Sequence, residues 1–297
     1  MASFMTVPEA LAAYRQWLAQ QPLSTHTRRT YLTQVNRYCT YLSTLHWEYG
    51  HPLREPYARD YAVRDYKTVL KTVHHAKPSS VNLALAAVDH FYRFLELPPP
   101  QVKREDLPAQ APRALEPPEQ KRFLRAVERC VSVRDRALAL LLFYTGLRIS
   151  ECAALQLSDV RLSSRKGLVI VRMGKGNTYR EVPLNAEVRA ALDSWLEQHK
   201  KLVALRNESA LFLTKRGTRL ATRTIDEVLR RFGQEANLDL SAHILRHSCL
   251  TNLVRNDNDL VLVAELAGHR RLETTRRYSL PTAADREAAM EGLKVDY

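Results

Sequence analysis

Proline constrains this chain more than any other residue. Seven of its 14 prolines fall between Pro98 and Pro118, in PPPQVKREDLPAQAPRALEPP. Proline lacks a backbone N–H and fixes φ, so neither a helix nor a central strand can run through such a stretch. The sequence therefore divides into a unit at residues 1–97, a linker at 98–118 and a unit at 119–297, with a C-terminal tail from about residue 283. Proline-rich linkers are extended and semi-rigid, which predicts two folded units held at a set reach. A length of 297 residues suits two domains.

The first unit reads as four helices with short connections. Thr6-Val7-Pro8-Glu9 is a capping box, followed by apolar residues at Leu11, Ala12, Tyr14, Trp17 and Leu18. Three further segments, Thr27 to Leu45, about Pro56 to Val73 and Ser79 to Leu95, repeat apolar residues at three- and four-residue intervals. The second unit opens with helices over Glu116 to Arg129 and Arg134 to Thr145, the latter stopped by Gly146, and restarts near Arg148. Only Asp159 to Leu162, Leu168 to Arg172 and Tyr179 to Pro183 read as strands, the last two joined by a turn at Met173 to Asn177. Helices over Asn185 to Lys201, Thr222 to Ala236, Ser241 to Asn256, Leu260 to Ala267 and Leu272 to Tyr278 complete it. The class is mainly α, with a small three-stranded sheet in the second unit.

Charge points to the partner. The net charge is +13 and the pI about 9.7, so a polyanion is the first hypothesis, with nucleic acid ahead of an anionic membrane. Residues 1–110 carry 13 basic and 9 acidic side chains, leaving most of the excess on the second unit. The longest apolar run, Ala137 to Tyr144, is far shorter than the roughly 20 residues of a membrane span. The N-terminus lacks the apolar block of a signal peptide. The cysteines at 39, 130, 152 and 249 form no C-x-x-C pair, against a disulfide framework or zinc finger. A reducing cytoplasm fits best.

Several residues could carry chemistry. Arg148 follows a helix stop in TGLRISE, Lys175 sits in a glycine-flanked turn, His243 and Arg246 begin one helix, and His269 precedes Tyr278 by nine residues. His243 and His247 stand four apart, but the intervening sequence lacks the glutamate of H-E-x-x-H and no third ligand stands nearby, so no metal is expected; His247 reads as packed or hydrogen-bonded in the core. Together, five donors and a tyrosine match an attack on a phosphodiester. A phenol is a competent nucleophile, and guanidinium forks fit the non-bridging oxygens whose charge grows in the transition state. The phenol, with an ordinary pKa of about 10, needs help to lose its proton, and the leaving alkoxide needs an acid. The scheme requires neither metal nor other cofactor.

In the ordered set LSTHTRRTYLTQVNRYCTYL, TGLRISECAALQLSDV, GKGNTYREVPL, SAHILRHSCLTNLVRN and LAGHRRLETTRRYSL, the chain resembles the tyrosine recombinase (phage integrase-like) family, in the size range of its Xer-type members. The resemblance covers essentially the whole chain. It implies a SAM-like helical core-binding domain and a mixed α/β catalytic domain with an antiparallel sheet. It also implies roles: Tyr278 as nucleophile forming a 3′-phosphotyrosine, Arg148, Arg246 and His269 holding the scissile phosphate, Lys175 protonating the leaving oxygen, His243 as general base, and Glu151 orienting the site. Some relatives carry tryptophan where this chain has His269, and Ile244 is less polar than usual within His-x-x-Arg. Implied DNA contacts are Lys215, Arg216, Arg219, Arg223, Arg230 and Arg231 around the 222–236 helix, and Thr27, Arg28, Arg29, Tyr31, Lys77, Ser79, Ser80 and Asn82 in the first unit. The expected assembly is a C-shaped clamp on double-stranded DNA and a homotetramer on two sites, with Ala288, Ala289, Met290 and Leu293 offering an apolar face for tail exchange and with accessory proteins in attendance. Two rivals remain open: a type IB topoisomerase-like relaxing enzyme, and a catalytically silent DNA-binding regulator.

Overall fold

A computed structural model describes residues 5–44, 50–107, 112–172, 179–203, 209–269, 271–280, 287 and 290–291. The chain separates into two compact units, Met1–Pro108 and Ala109–Tyr297.

The first unit consists of α1 (Val7–Gln20), α2 (Thr25–Ser43), α3 (Pro56–Thr72) and α4 (Pro78–Phe94). Local chemistry fixes their starts. The Glu9 carboxylate accepts the Thr6 backbone N–H at 2.7 Å while Thr6 Oγ1 accepts that of Glu9, Ser24 caps α2 through Thr27 N–H, and prolines open α3 and α4, where a missing N–H costs nothing. The core is aromatic: Tyr14, Tyr38, Tyr66, Phe91 and Tyr92 are buried together with Leu18, Leu42 and Leu85. The buried hydroxyls are largely paired, Tyr38 with Tyr92 at 2.8 Å and Tyr14 with His90 at 2.9 Å.

The front of the proline-rich segment is not a free spacer. Arg59 donates to the Pro98 carbonyl at 2.8 Å, Lys67 to that of Lys103 at 2.7 Å, and Lys67 and Lys71 both pair with Glu105. Proline cannot donate but its carbonyl accepts, so basic side chains of α3 strap the segment down.

The second unit begins with α5 (Pro117–Arg129), α6 (Val133–Thr145) and α7 (Ile149–Ala154), then β1 (Val160–Leu162), β2 (Gly167–Val171) and β3 (Arg180–Pro183). The strands form one antiparallel sheet in chain order, with Val160 opposite Val169, Val169 opposite Val182 and Val171 opposite Arg180. It continues with α8 (Ala186–Val203), α9 (Thr222–Ala236), α10 (Ala242–Arg255), α11 (Leu260–Ala267) and α12 (Leu272–Arg276). Apolar nearly all round, α6 is the axis of the core, with Ala137, Leu138, Leu141 and Leu142 buried. It packs against α8, α10, α5 and α9. Gly146 ends it in the left-handed region at φ 60°, its N–H on the Leu142 carbonyl. The expected final helix is shorter than its sequence pattern: α12 ends at Arg276 and Tyr278 sits on the turn beyond, its N–H on the Thr275 carbonyl at 2.9 Å. Of the expected tail face, Ala288, Ala289 and Leu293 lie outside the described residues, whereas Met290 is exposed.

Candidate active site

Two glycine stops and one turn gather the reactive residues. Gly146 reverses the chain after α6 and sets Arg148 at the N-terminus of α7, where Glu151 reaches back to accept the Arg148 backbone N–H at 2.9 Å. Gly268, at φ 63°, ends α11 and delivers His269. The α12 turn then delivers Tyr278.

Arg246, on the first turns of α10, is buried and locked from both sides. It donates to the Gly146 carbonyl at 2.5 Å and to the Ala267 carbonyl at 2.7 Å, so one guanidinium clamps both glycine turns. Its Nη2 also donates to His269 Nε2 at 3.0 Å. A guanidinium has no acceptor, so the neutral His269 carries its proton on Nδ1, which donates to Thr275 Oγ1 at 2.8 Å. Thr275 is fully buried and fixes this ring. The His269 and Tyr278 rings lie nearly parallel, 6.1 Å between centres. The Tyr278 hydroxyl, in a residue 5% exposed, is 2.9 Å from His247 Nδ1.

The site is held from behind by a buried carboxylate. Glu151 receives Arg148 Nη1 at 2.7 Å and both terminal nitrogens of Arg180, at 3.1 and 2.8 Å, while Arg180 Nε donates to the Leu266 carbonyl. One carboxylate thus holds two guanidinia, and a third, Arg246, lies within their field. The cluster carries excess positive charge and favours an anion.

Electrostatics follow from that. Burial and the Arg148 charge lower the Arg246 pKa to about 10. Burial, then Arg246 and Arg148, push His269 down to about 4, and burial, then His243 and Arg277, push His247 to about 4, so both imidazoles are neutral at pH 7. Burial raises the Tyr278 phenol, opposed by the charges of Arg246, Arg277 and Arg148. Burial would also raise Glu151, but hydrogen bonds and charge from Arg180 and Arg148 outweigh it and hold the carboxyl below its ordinary value.

The structure thus brings together Arg148, Glu151, Arg246, His269 and Tyr278. His243 stands apart: it is exposed, its ring centre 6.4 Å from that of His247, and the hydrogen bond to the phenol is made by His247. Lys175 lies outside the described residues. No group of three or more His, Cys, Asp or Glu among the described residues is arranged to hold a metal ion.

Sequence reasoning passed over three contributors. Arg180 leaves a faint signal in strand parity, since it shares a face with the buried Val182 while Glu181 between them is exposed. An arginine on the inward parity requires a buried carboxylate, and Glu151 is that carboxylate. His247, one turn after His243, was legible as an engaged histidine but not as the partner of Tyr278. Nothing local marks Thr275.

The expected DNA contacts divide by exposure. Arg29, Lys77, Ser79, Ser80, Lys215 and Arg216 are exposed. So are Arg223 and Arg230, each in an i,i+4 pair with Glu227 and Asp226 respectively, a solvent-screened contact worth little. Others have internal work. Asn82 exchanges hydrogen bonds with the Glu105 backbone, both at 2.8 Å, so its carboxamide fastens the strap rather than facing a base. Arg219 donates to the carbonyls of Ala153 and Leu155, and Arg231 binds the buried Asp135 at 2.6 Å. Half-buried Arg28 donates to the Ala19 carbonyl, half-buried Tyr31 packs edge-on to His90, and Thr27 hydrogen-bonds Ser24.

A cluster of guanidinia beside a buried phenol suits attack on a phosphodiester, and comparison with known proteins agrees. Residues 113–284 match the phage integrase family and residues 11–97 its N-terminal SAM-like domain. The chain is 31% identical over 298 residues to tyrosine recombinase XerA of Thermococcus kodakarensis, covering 97% of this chain and 96% of that one. Tyrosine recombinase XerC of Myxococcus xanthus is 36% identical over 236 residues, 74% of this chain and 77% of that one. A crystal structure of XerH site-specific recombinase bound to its difH substrate superposes with a TM-score of 0.71 at 20% identity, covering 98% of this chain and 85% of that one. The chain belongs to the phage integrase, or tyrosine recombinase, family.

Proposed function

We propose that this protein is a site-specific DNA recombinase that cuts and rejoins duplex DNA through a covalent 3′-phosphotyrosine and a Holliday junction. The observation that carries the reading is that Arg246, Arg148 and His269, from three separate segments of chain, gather around the Tyr278 phenol supplied by a fourth. A scissile phosphate fits this set: the guanidinia of Arg148 and Arg246 hold the non-bridging oxygens and oppose the charge that grows as phosphorus becomes five-coordinate, while His269, accepting from Arg246 and donating to Thr275, holds the Arg246 guanidinium in place. Glu151 orients Arg148. The Tyr278 oxygen attacks phosphorus as His243, exposed at the start of α10, takes the phenol's proton as general base, and the 5′-oxygen leaves with a proton from Lys175. The broken bond's energy is kept in the phosphotyrosine, so rejoining needs no ATP.

Recognition rests on charge. Arg29, Lys77, Ser80, Lys215, Arg216, Arg223 and Arg230 are the exposed groups that reach the duplex, and counterion release makes the affinity fall steeply with salt. The active assembly is a homotetramer on two DNA sites, with residues beyond about 283 exchanged between protomers and accessory proteins acting on some sites. The compartment is the cytoplasm. None of the described helices is long and apolar enough to cross a membrane.

The test begins with genomic DNA of the encoding organism, incubated with the full chain and quenched in detergent. Protein-linked ends are captured and sequenced to define the target site, which is then placed singly or in pairs on a supercoiled plasmid. The recombinase reading expects adducts at one site family and resolved or integrated products only from paired sites. Relaxation without exchange identifies a relaxing enzyme, and absence of any adduct a silent binder.

A further inference from the structure

The three-stranded sheet has two ends. Val171 and Arg180 pair at one, where Arg180 reaches the buried Glu151 behind the active site. Leu162 and Gly167 pair at the other, about 14 Å away at roughly 3.4 Å per strand residue. At that far end the β1–β2 turn, the end of β3 and the start of α8 surround a depression of about 460 Å³. Its lining carries four cations, Arg161, Arg165, Lys166 and Arg189, and no carboxylate. Like charges around a concave site focus a positive potential that draws anions.

The depression is built before any ligand arrives. Ser163 and Lys166 close the turn reciprocally: the Ser163 N–H and Oγ donate to the Lys166 carbonyl at 2.8 and 2.9 Å, and Ser163 Oγ accepts the Lys166 N–H at 3.0 Å. Half-buried Arg189 lies across Gly167, where a Cβ would come within 2.8 Å of its Cδ. Its Nη1 donates to the Leu184 carbonyl at 2.9 Å, which fixes a guanidinium that still has donors to offer. The rest of the lining is largely apolar, from Leu162, Leu168, Pro183 and Leu184.

We propose that this depression is a docking site for an acidic peptide segment of a partner protein, with its carboxylates on the four cations and one bulky apolar side chain against the leucines. Charge complementarity calls for an anion, and the apolar lining decides which kind. A DNA backbone would satisfy the cations but offers phosphate and sugar alone, leaving the leucines without a partner. Acidic residues flanking a leucine, methionine or phenylalanine complement both parts of the lining. Guanidinium forks take carboxylates bidentately and are weakly hydrated, so they suit an interface, and arginine clusters recur as receptors for acidic motifs. The depression lies at the end of the sheet remote from Arg180 and the active site, so its occupant need not displace a substrate there. The inference does not depend on the recombinase reading. Within that reading, the site recruits a partner while leaving the active site open.

The experiment uses the full chain at physiological ionic strength and three fluorescent peptides of equal length: a glutamate-rich peptide with two central leucines, the same peptide with serines for the leucines, and the same peptide with glutamines for the glutamates. Anisotropy gives the affinity of each for wild type, Arg189→Met and the double variant Arg161→Gln/Arg165→Gln, with melting and the affinity for a duplex of generic sequence followed in parallel. Methionine keeps a long side chain across Gly167 without the charge, and the double variant, at exposed positions, carries the test if Arg189→Met does not fold. The first peptide is expected to bind wild type, and loss of either its leucines or its carboxylates to weaken it by about tenfold or more. Each variant is expected to weaken the first peptide by about tenfold or more, as for a central interface arginine, and to leave duplex affinity within about threefold, since screening confines a surface charge to its neighbourhood. No binding of the first peptide by wild type, equal binding of the serine peptide, or unchanged binding by the folded variants overturns the proposal. A loss of duplex affinity in both variants as large as the loss of peptide affinity also overturns it and assigns the depression to DNA. Peptide binding without duplex binding supports the docking site and counts against the recombinase reading alone.

Discussion

Arg180→Met is the sharpest test of how the site is held. Glu151 is 3% exposed and Arg180 6%, and two of the hydrogen bonds on that carboxylate come from the Arg180 fork. Removing the arginine leaves a buried carboxylate with only the partly exposed Arg148 as partner, a loss that costs about 3–5 kcal/mol. For a unit of this size each kcal/mol lowers the melting temperature by roughly 2–4 °C, so the second unit's transition should fall by roughly 6–20 °C. The double variant Glu151→Leu/Arg180→Met removes both charges and should recover most of that loss, because replacing a buried pair by apolar groups is often neutral or better. Acid should act in the same direction as the single variant. The Glu151 carboxyl is held below its ordinary value of 4.5, so its ionised form contributes stability above that pH and loses it as pH falls through the lower folded value. Calorimetry of wild type, both single variants and the double variant closes the cycle. A single variant within about 1 kcal/mol of wild type, or a double variant less stable than either single, would refute the reasoning that this ion pair is the buried support of the site.

Further expectations concern the ring, the histidines and the DNA surface. Thr275→Val keeps the shape but removes the partner of His269 Nδ1, and an unsatisfied buried donor costs about 1–3 kcal/mol; covalent trapping should slow by about tenfold or more while Thr275→Ser stays near wild type. His247 and His269 are pushed down to about 4 from an ordinary 6.5, so the unfolded chain binds protons first. Their contribution to stability should be whole above about pH 6.5 and drain away towards pH 4, and His247→Leu should flatten that part of the denaturation profile. Arg223→Ala and Arg230→Ala should each lower the slope of log affinity against log salt by about one, whereas Arg219→Ala should act mainly on melting, since that side chain braces the end of α7.

The fold was legible where periodicity, caps and proline speak. Four helices before the proline cluster, Gly146 as a stop and three short strands between α7 and α8 all follow from local rules, and the structure has them. What local rules could not reach was long-range pairing. Asn82 and Arg231 look like surface polar groups in sequence, and only the chain path puts Glu105 against one and Asp135 against the other. The same holds for the front of the linker, whose prolines forbid helix and strand yet leave carbonyls that Arg59 and Lys67 can reach. Within the site, Arg148, Arg246, His269 and Tyr278 stood out as a set because their chemistry is unusual. Arg180 did not, because its importance comes from Glu151, 29 residues earlier. His247 reads in sequence as packed or hydrogen-bonded in the core, and it is; that its partner is Tyr278, 31 residues further on and itself buried, is a long-range pairing that no local rule reaches.

The central claim is that Tyr278 becomes bonded to DNA. The direct measurement is digestion of the captured adduct with protease and nuclease, followed by mass spectrometry of the peptide that retains a nucleotide. The account predicts a single modified residue, Tyr278, joined to a 3′-phosphate with a free 5′-hydroxyl on the other end, and no such peptide from Tyr278→Phe. A nucleotide on any other side chain, a 5′-phosphate linkage, or an adduct surviving in Tyr278→Phe would contradict it.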